Sequence, residues 1–251
     1  MTALPDNLVT VVFPPFPYFP VTRKSTALII VDMQKADAHP DYGIGVKSRA
    51  AGRAHAFEFY WKAVRCAVEN QQQLIAAARA AGVQIIYTRI ATQTRDARDV
   101  GNQHRNVNVF VAKDSVEAEI LPEIAPGEDD IVISKTSSSP FNTTAIHHLL
   151  HNLGVDTLLV CGVVTNGCVE GTVRDASDLG YNVIMIPDAS AALTPELHQS
   201  AITNMNDAFC NCRETAKVVG EINQLTAEAQ RTQKRKPVAQ RRKETKTQRK
   251  P

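Results

Sequence analysis

No stretch of this 251-residue chain approaches the run of about 18–20 apolar residues that a bilayer-spanning helix needs, so a helical membrane protein is not expected. The N-terminus, MTALPDNLVTVVFPPFPYFP, lacks a basic segment ahead of a compact apolar stretch, and no secretory signal is expected either. Cysteine is sparse. Cys66, Cys161, Cys168, Cys210 and Cys212 are an odd and scattered set, which reads as free thiols in a reducing compartment rather than as a disulfide framework. Cys210-Asn211-Cys212 is C-x-C and not a paired C-x-x-C, so the default is buried strand cysteines and not zinc. What the chain does not lack is apolar content: at 43% hydrophobic it is not disordered as a whole.

The net charge of +2 conceals an asymmetry. From Arg231 to Pro251 ten Lys/Arg stand against one acid, Glu244, while the rest of the chain has 18 basic and 25 acidic residues. An acidic body of −7 therefore carries a basic tail of +9. Residues 227–251 are Gln, Lys, Arg and Thr with almost nothing apolar, and are expected to be disordered. The tail has no interleaved aromatics for base stacking, so nucleic-acid binding beyond a weak, salt-dependent and sequence-blind association is not expected. KRKPVAQRRK fits a nuclear or anionic-surface signal if the host is eukaryotic; the expected location is otherwise cytoplasmic.

Residues 1–25 are dense in Pro and aromatics, which excludes a helix or central strand and predicts an extended arm over the body or over a neighbouring subunit. From 26 to 226 apolar runs alternate with helical segments. Thr26–Asp32, Val83–Thr88, Asp130–Ser134, Asp156–Val164, Asn182–Pro187 and Ala208–Cys212 read as strands. Helices are predicted from about Ala54 to Ala81 with a stop at Gly82, over Asn142–Gly154, Val169–Leu179 and Pro195 to about Asn206, and from Glu214 onward. This alternation predicts an α/β domain, a three-layer fold with a six-stranded, mainly parallel sheet. No internal repeat is visible.

Ligands of open parallel sheets bind beyond the carboxyl ends of the strands. There the sequence puts an acid (Asp32), an amine (Lys135) and a thiol (Cys168), the ingredients of covalent catalysis by cysteine. Cys168 follows a short turn and opens a helix, where free N–H groups and the dipole favour a thiolate and could hold an oxyanion. It could equally be a small buried hydrophobe, as most free cysteines are. Asp32 could cap a helix or serve as the base that takes the thiol proton; Lys135 could be solvated or keep that carboxylate ionised.

The segments ALIIVDMQ, ISKTSSSPFNTT and GVVTNGCVEGTVRDASDLGYNVIMIPDASAA together resemble the isochorismatase-like hydrolases, specifically their cysteine amidohydrolase branch, over about Thr26 to Gly220. The resemblance implies the triad Asp32–Lys135–Cys168, a Rossmann-like strand order, a cis peptide at Val163–Val164 and an oxyanion hole from the backbone N–H groups of Val164 and Cys168. It also implies a homodimer or homotetramer. The nicotinamidase pattern of D-F after D-x-Q and of D-x-H after the second strand is missing here. Asp32-Met-Gln-Lys-Ala-Asp37 and TRIATQTRDARDVGNQHRN stand in its place, so neither metal nor cofactor is expected.

In the family resembled, enzymes acting on isochorismate's vinyl ether lack the cysteine in at least some members, so the resemblance with Cys168 implies an amide or ureide. The relatives without metal act on ureido and N-carbamoyl compounds such as N-carbamoylsarcosine, ureidoacrylate and biuret. His147 and His151 lie four apart on a helix but without the acid of H-E-x-x-H, which argues against a metal there. His39, Tyr42, Phe141 and Asn166 are candidates for the wall of a substrate pocket; Tyr42 and Phe141 fit a core role equally well. Three functions are thus open: hydrolysis of a small amide or ureido substrate through a thioester, isochorismatase chemistry with Asp32 as acid, or binding of a partner by the basic tail.

Overall fold

The computed structural model describes residues 14–235; the rest of the N-terminal arm and the tail from 236 lie outside the described residues. In chain order the elements are β1 (Thr26–Val31), α1 (Lys35–Ala38), α2 (Gly43–Ala50), α3 (Glu58–Ala81), β2 (Gln84–Ile90), α4 (Asn102–Asn106), β3 (Ile131–Lys135) and α5 (Pro140–Thr143). They continue with α6 (Ile146–Asn152), β4 (Thr157–Val163), α7 (Glu170–Asp178), β5 (Asn182–Ala191), α8 (Pro195–Met205), β6 (Asn211–Cys212) and α9 (Thr215–Arg235). Among the described residues, six strands form one sheet in the order β3-β2-β1-β4-β5-β6, every pairing parallel. The order reverses between β1 and β4, which makes the crevice above these two strands the expected ligand position.

Strand periodicity explains the unbroken apolar runs. Leu28 and Ile30 face a core shared with Leu74 of α3 and Val218 and Ile222 of α9. Ala27, Ile29 and Val31 face a second core with Ile146, Val173 and Ala201 of α6, α7 and α8. A strand buried on both faces has no polar side, so alternation disappears from its sequence. The central strand β1 is buried at every position. The long helix α3 ends where expected, its last turn capped by Gly82 at φ +71, the left-handed conformation a side chain disfavours.

The structure departs from the sequence reading at several elements. The helix expected over 142–154 is broken into α5 and α6. Thr144 is extended, its hydroxyl donates to the Pro140 carbonyl, and it accepts from the Ile146 amide, so a side chain takes over backbone pairing at the break. The strand expected to stop at Pro187 continues to Ala191, after a register slip that pairs Gly162 with Ser190. The last strand is only Asn211–Cys212. The closing helix continues through 227–235, so the boundary expected at 226 falls inside it. Ala and Glu at 227 and 228 are good helix formers, a property that apolar content alone does not register.

The proline-rich segment before β1 is extended and lies along β6 and α9. Asn211 accepts from the Phe19 amide and donates to the Pro17 carbonyl, while Arg213 donates to the Phe19 carbonyl and stacks 3.7 Å over the Tyr18 ring. Arg213 also pairs with Glu221 of α9.

Candidate active site

Asp32 is the first residue beyond β1, at φ +52, a left-handed conformation that Asp tolerates better than most residues. Its amide donates to the Thr88 carbonyl, and its Oδ1 accepts from the Thr88 hydroxyl at 3.2 Å, so the end of β2 fixes its carboxylate. Lys135 ends β3, two strands away. At about 4.8 Å per strand that gap approaches 10 Å, which only a long side chain bridges. Its Nζ crosses above β2 to reach Asp32 Oδ2 at 2.7 Å and also donates to the Ser137 carbonyl at 2.9 Å. Both side chains are buried, at 0% and 1% exposure.

Cys168 arrives from the other side of the strand-order reversal. At the end of β4, Gly162 has φ +130, and a Cβ built there would lie 2.1 Å from the Val31 carbonyl oxygen. Only glycine lets β4 close on the end of β1 at this point. The next peptide bond, Val163–Val164, is cis. A wide turn over Thr165–Val169 follows, in which the Val169 amide bonds the Val164 carbonyl, an i to i+5 link of the kind found as π-turns at functional sites. Cys168 sits inside this turn, its carbonyl accepting from the Thr172 hydroxyl at 2.6 Å, and α7 follows. The buried thiol is electrostatically coupled to both Asp32 and Lys135. The three residues are therefore brought together.

Electrostatics correct one expectation. Instead of lowering the Cys168 pKa, the site raises it well above the ordinary thiol value, first through burial and then through the Asp32 charge, with Lys135 opposing. Burial and a facing carboxylate outweigh the partial charge of a helix end one turn away. The resting group is a thiol. Burial disfavours the Lys135 charge, but Asp32 and Cys168 more than compensate and its pKa is raised.

The pocket candidates are dispersed. The rings of His39 and Tyr42 pack edge to face beyond α1, and His39 borders a cavity of about 370 Å³ with Trp61, Arg65 and Glu123, to which no triad residue contributes. Asn166 is exposed within the Cys168 turn. Phe141 packs on Tyr181, before β5 and on the amino edge of the sheet, so its described contacts are those of a core residue. His147 is occupied by the Tyr181 hydroxyl.

Sequence reasoning missed three neighbours of the triad. Thr88 was legible as a polar residue directly after the apolar run Ile85–Tyr87 of β2. His104 of α4 is buried, its ring facing the Thr136 carbonyl and electrostatically coupled to Lys135 and Asp32, with burial lowering its pKa. Asp37 of α1, between buried Ala36 and Ala38, is coupled to Asp32, Lys135 and Cys168.

An α/β sheet of Rossmann-like order with a carboxylate, an ammonium and a thiol at its carboxyl edge defines a hydrolase class. Comparison with known proteins makes this specific: an Isochorismatase domain model matches residues 26–217. The chain is 32% identical over 203 residues to the ureidoacrylate amidohydrolase RutB of Acinetobacter baylyi, covering 74% of this chain and 79% of that one. It is 32% identical over 191 residues to a probable inactive nicotinamidase of Arabidopsis thaliana, covering 73% and 89%. A cysteine hydrolase from Pseudomonas syringae superposes with a TM-score of 0.71 at 30% identity, covering 85% of this chain and 99% of that structure. The chain belongs to the isochorismatase family of hydrolases.

Proposed function

We propose that this chain is a cysteine-dependent amidohydrolase that cleaves a small amide or a ureido or N-carbamoyl compound through a thioester. The observation that carries the reading is the buried Lys135–Asp32 pair at 2.7 Å with the buried Cys168 thiol in electrostatic coupling to both. The similarity to a ureidoacrylate amidohydrolase supports the substrate class.

Because the resting group is a thiol, attack needs a base, and Asp32 is the group placed to take the proton. The sulfur then adds to the substrate carbonyl, and the oxyanion rests on the backbone N–H groups of Val164 and Cys168. Collapse breaks the C–N bond as Asp32 returns its proton to the departing ammonia or amine. Water, deprotonated by Asp32, attacks the thioester, and the sulfur leaves with that proton. Lys135, donating to Oδ2 at 2.7 Å, holds the Asp32 carboxylate in position through both half-reactions.

Ammonia release from a panel of small amides and ureides tests the reading. Cys168→Ala is expected to abolish turnover while the circular dichroism spectrum and melting temperature stay close to wild type. Ammonia release unchanged in that variant disproves the covalent route.

A further inference from the structure

Asp37 has an unusual position for a carboxylate. Its Oδ2 is sealed from solvent and has no hydrogen-bond partner. The donors near it are committed elsewhere: the Tyr60 hydroxyl to the Asp37 backbone carbonyl, Lys135 to Asp32 and Ser137, Lys47 to the Asn108 carbonyl, and Lys35 to Glu119. Charged and titratable groups face it from every side. Asp32 and Lys135 lie at the ends of β1 and β3, Cys168 before α7, Tyr60 on α3, Lys47 on α2 and Glu117 in the loop before β3. A buried acceptor left unpaired is costly, and in a binding site a ligand N–H relieves that cost.

We propose that Asp37 is a specificity-determining residue of this site: its carboxylate accepts a hydrogen bond from the N–H of the nitrogen that stays with the acyl group. The site then takes N-monosubstituted ureides in preference to N,N-disubstituted ones. The proposal rests on the amidohydrolase reading above and narrows its substrate class. A substrate whose retained nitrogen is methylated offers no donor and leaves the acceptor unpaired. Burial and the Asp32 charge push the Asp37 carboxyl up to about 7, so it becomes a full acceptor as the pH rises through neutrality.

N-carbamoylglycine and N-carbamoylsarcosine differ by one methyl on that nitrogen and make the test. Wild type is expected to favour the former by about tenfold or more in kcat/KM, the size of penalty a site imposes when its polar group goes unpaired. The preference should rise between pH 6 and 8. Asp37→Leu, similar in shape but without acceptors, should bring the two within about threefold of each other. Asp37→Asn keeps one acceptor oxygen and should retain the preference without its pH dependence. An unchanged ratio in Asp37→Leu, or a wild-type preference flat with pH, overturns the assignment.

A second readout does not depend on turnover: alkylation of Cys168 by iodoacetamide relative to its N,N-dimethyl analogue, followed on the Cys168 peptide by mass spectrometry. The relative rate should fall in Asp37→Leu, and an equal ratio in both proteins overturns the assignment. If wild type releases ammonia from neither ureide, the ureide reading fails and the alkylation ratio alone decides the role of Asp37.

Discussion

Lys135 and Asp32 are taken out of water together, and their attraction has to offset two desolvation penalties. The additional bonds to Thr88 and Ser137 make this arrangement tolerable, since each charge then has more than one partner. Removing one member leaves a buried charge alone. Lys135→Met, which fills similar space, is expected to lose about 3–5 kcal/mol of stability in urea denaturation. The double variant Lys135→Met/Asp32→Asn should recover part of that loss, because the stranded charge is gone. A cost below about 1 kcal/mol for Lys135→Met would mean that solvent reaches Asp32 and that the pair is not closed. These residues were legible in the sequence because each interrupts or follows an apolar strand at its carboxyl end. Asp37 was not. An acid in a short helix is ordinary in one dimension, and only the fold seals one of its carboxylate oxygens from solvent.

At the scale of elements, the site depends on how closely β4 approaches β1. Their ladder pairs Val31 with Gly162, so the residue before Asp32 touches the residue six before Cys168. A Cβ at 162 would meet a backbone carbonyl, which cannot move aside as a flexible side chain could, and φ +130 is itself unfavourable for any L side chain. Gly162→Ala is therefore expected to destabilise the fold by about 3 kcal/mol or more. Activity should fall further than stability predicts, because the strand ends that carry Asp32 and Cys168 must separate. A variant with wild-type melting temperature and turnover would show that the strand end yields without cost. Strands such as β1 and β4 were readable because burial on both faces leaves uninterrupted apolar runs. The break at Thr144 and the continuation of β5 past Pro187 were not: the first turns on one side chain bonding its neighbours' backbone inside a run that reads as helical, the second on the distant bond of the Gly162 amide to Ser190.

On the scale of the whole molecule, the helix that carries the basic tail can be followed from its start. Thr215, at the start of α9, is tied to Asp188, in the later part of β5 near the carboxyl edge. From there α9 runs back along the sheet with Val218 and Ile222 in the core. Its 21 residues span about 30 Å at 1.5 Å per residue. The chain thus reaches Arg235 far from the edge where Asp32, Lys135 and Cys168 meet, and residues 236–251, with seven Lys/Arg and one Glu, follow from that distal end. At physiological ionic strength charges separated by much more than the Debye length of about 8 Å are screened. Deleting residues 236–251 should consequently leave kcat/KM within about twofold of wild type at 0.15 M salt. The same deletion should abolish retention on a heparin column at low salt, since the acidic body has no comparable basic cluster to replace it. A large loss of kcat/KM on deletion would mean that the tail returns to the site and takes part in binding an anionic substrate, and raising the salt on the intact protein should then reproduce that loss.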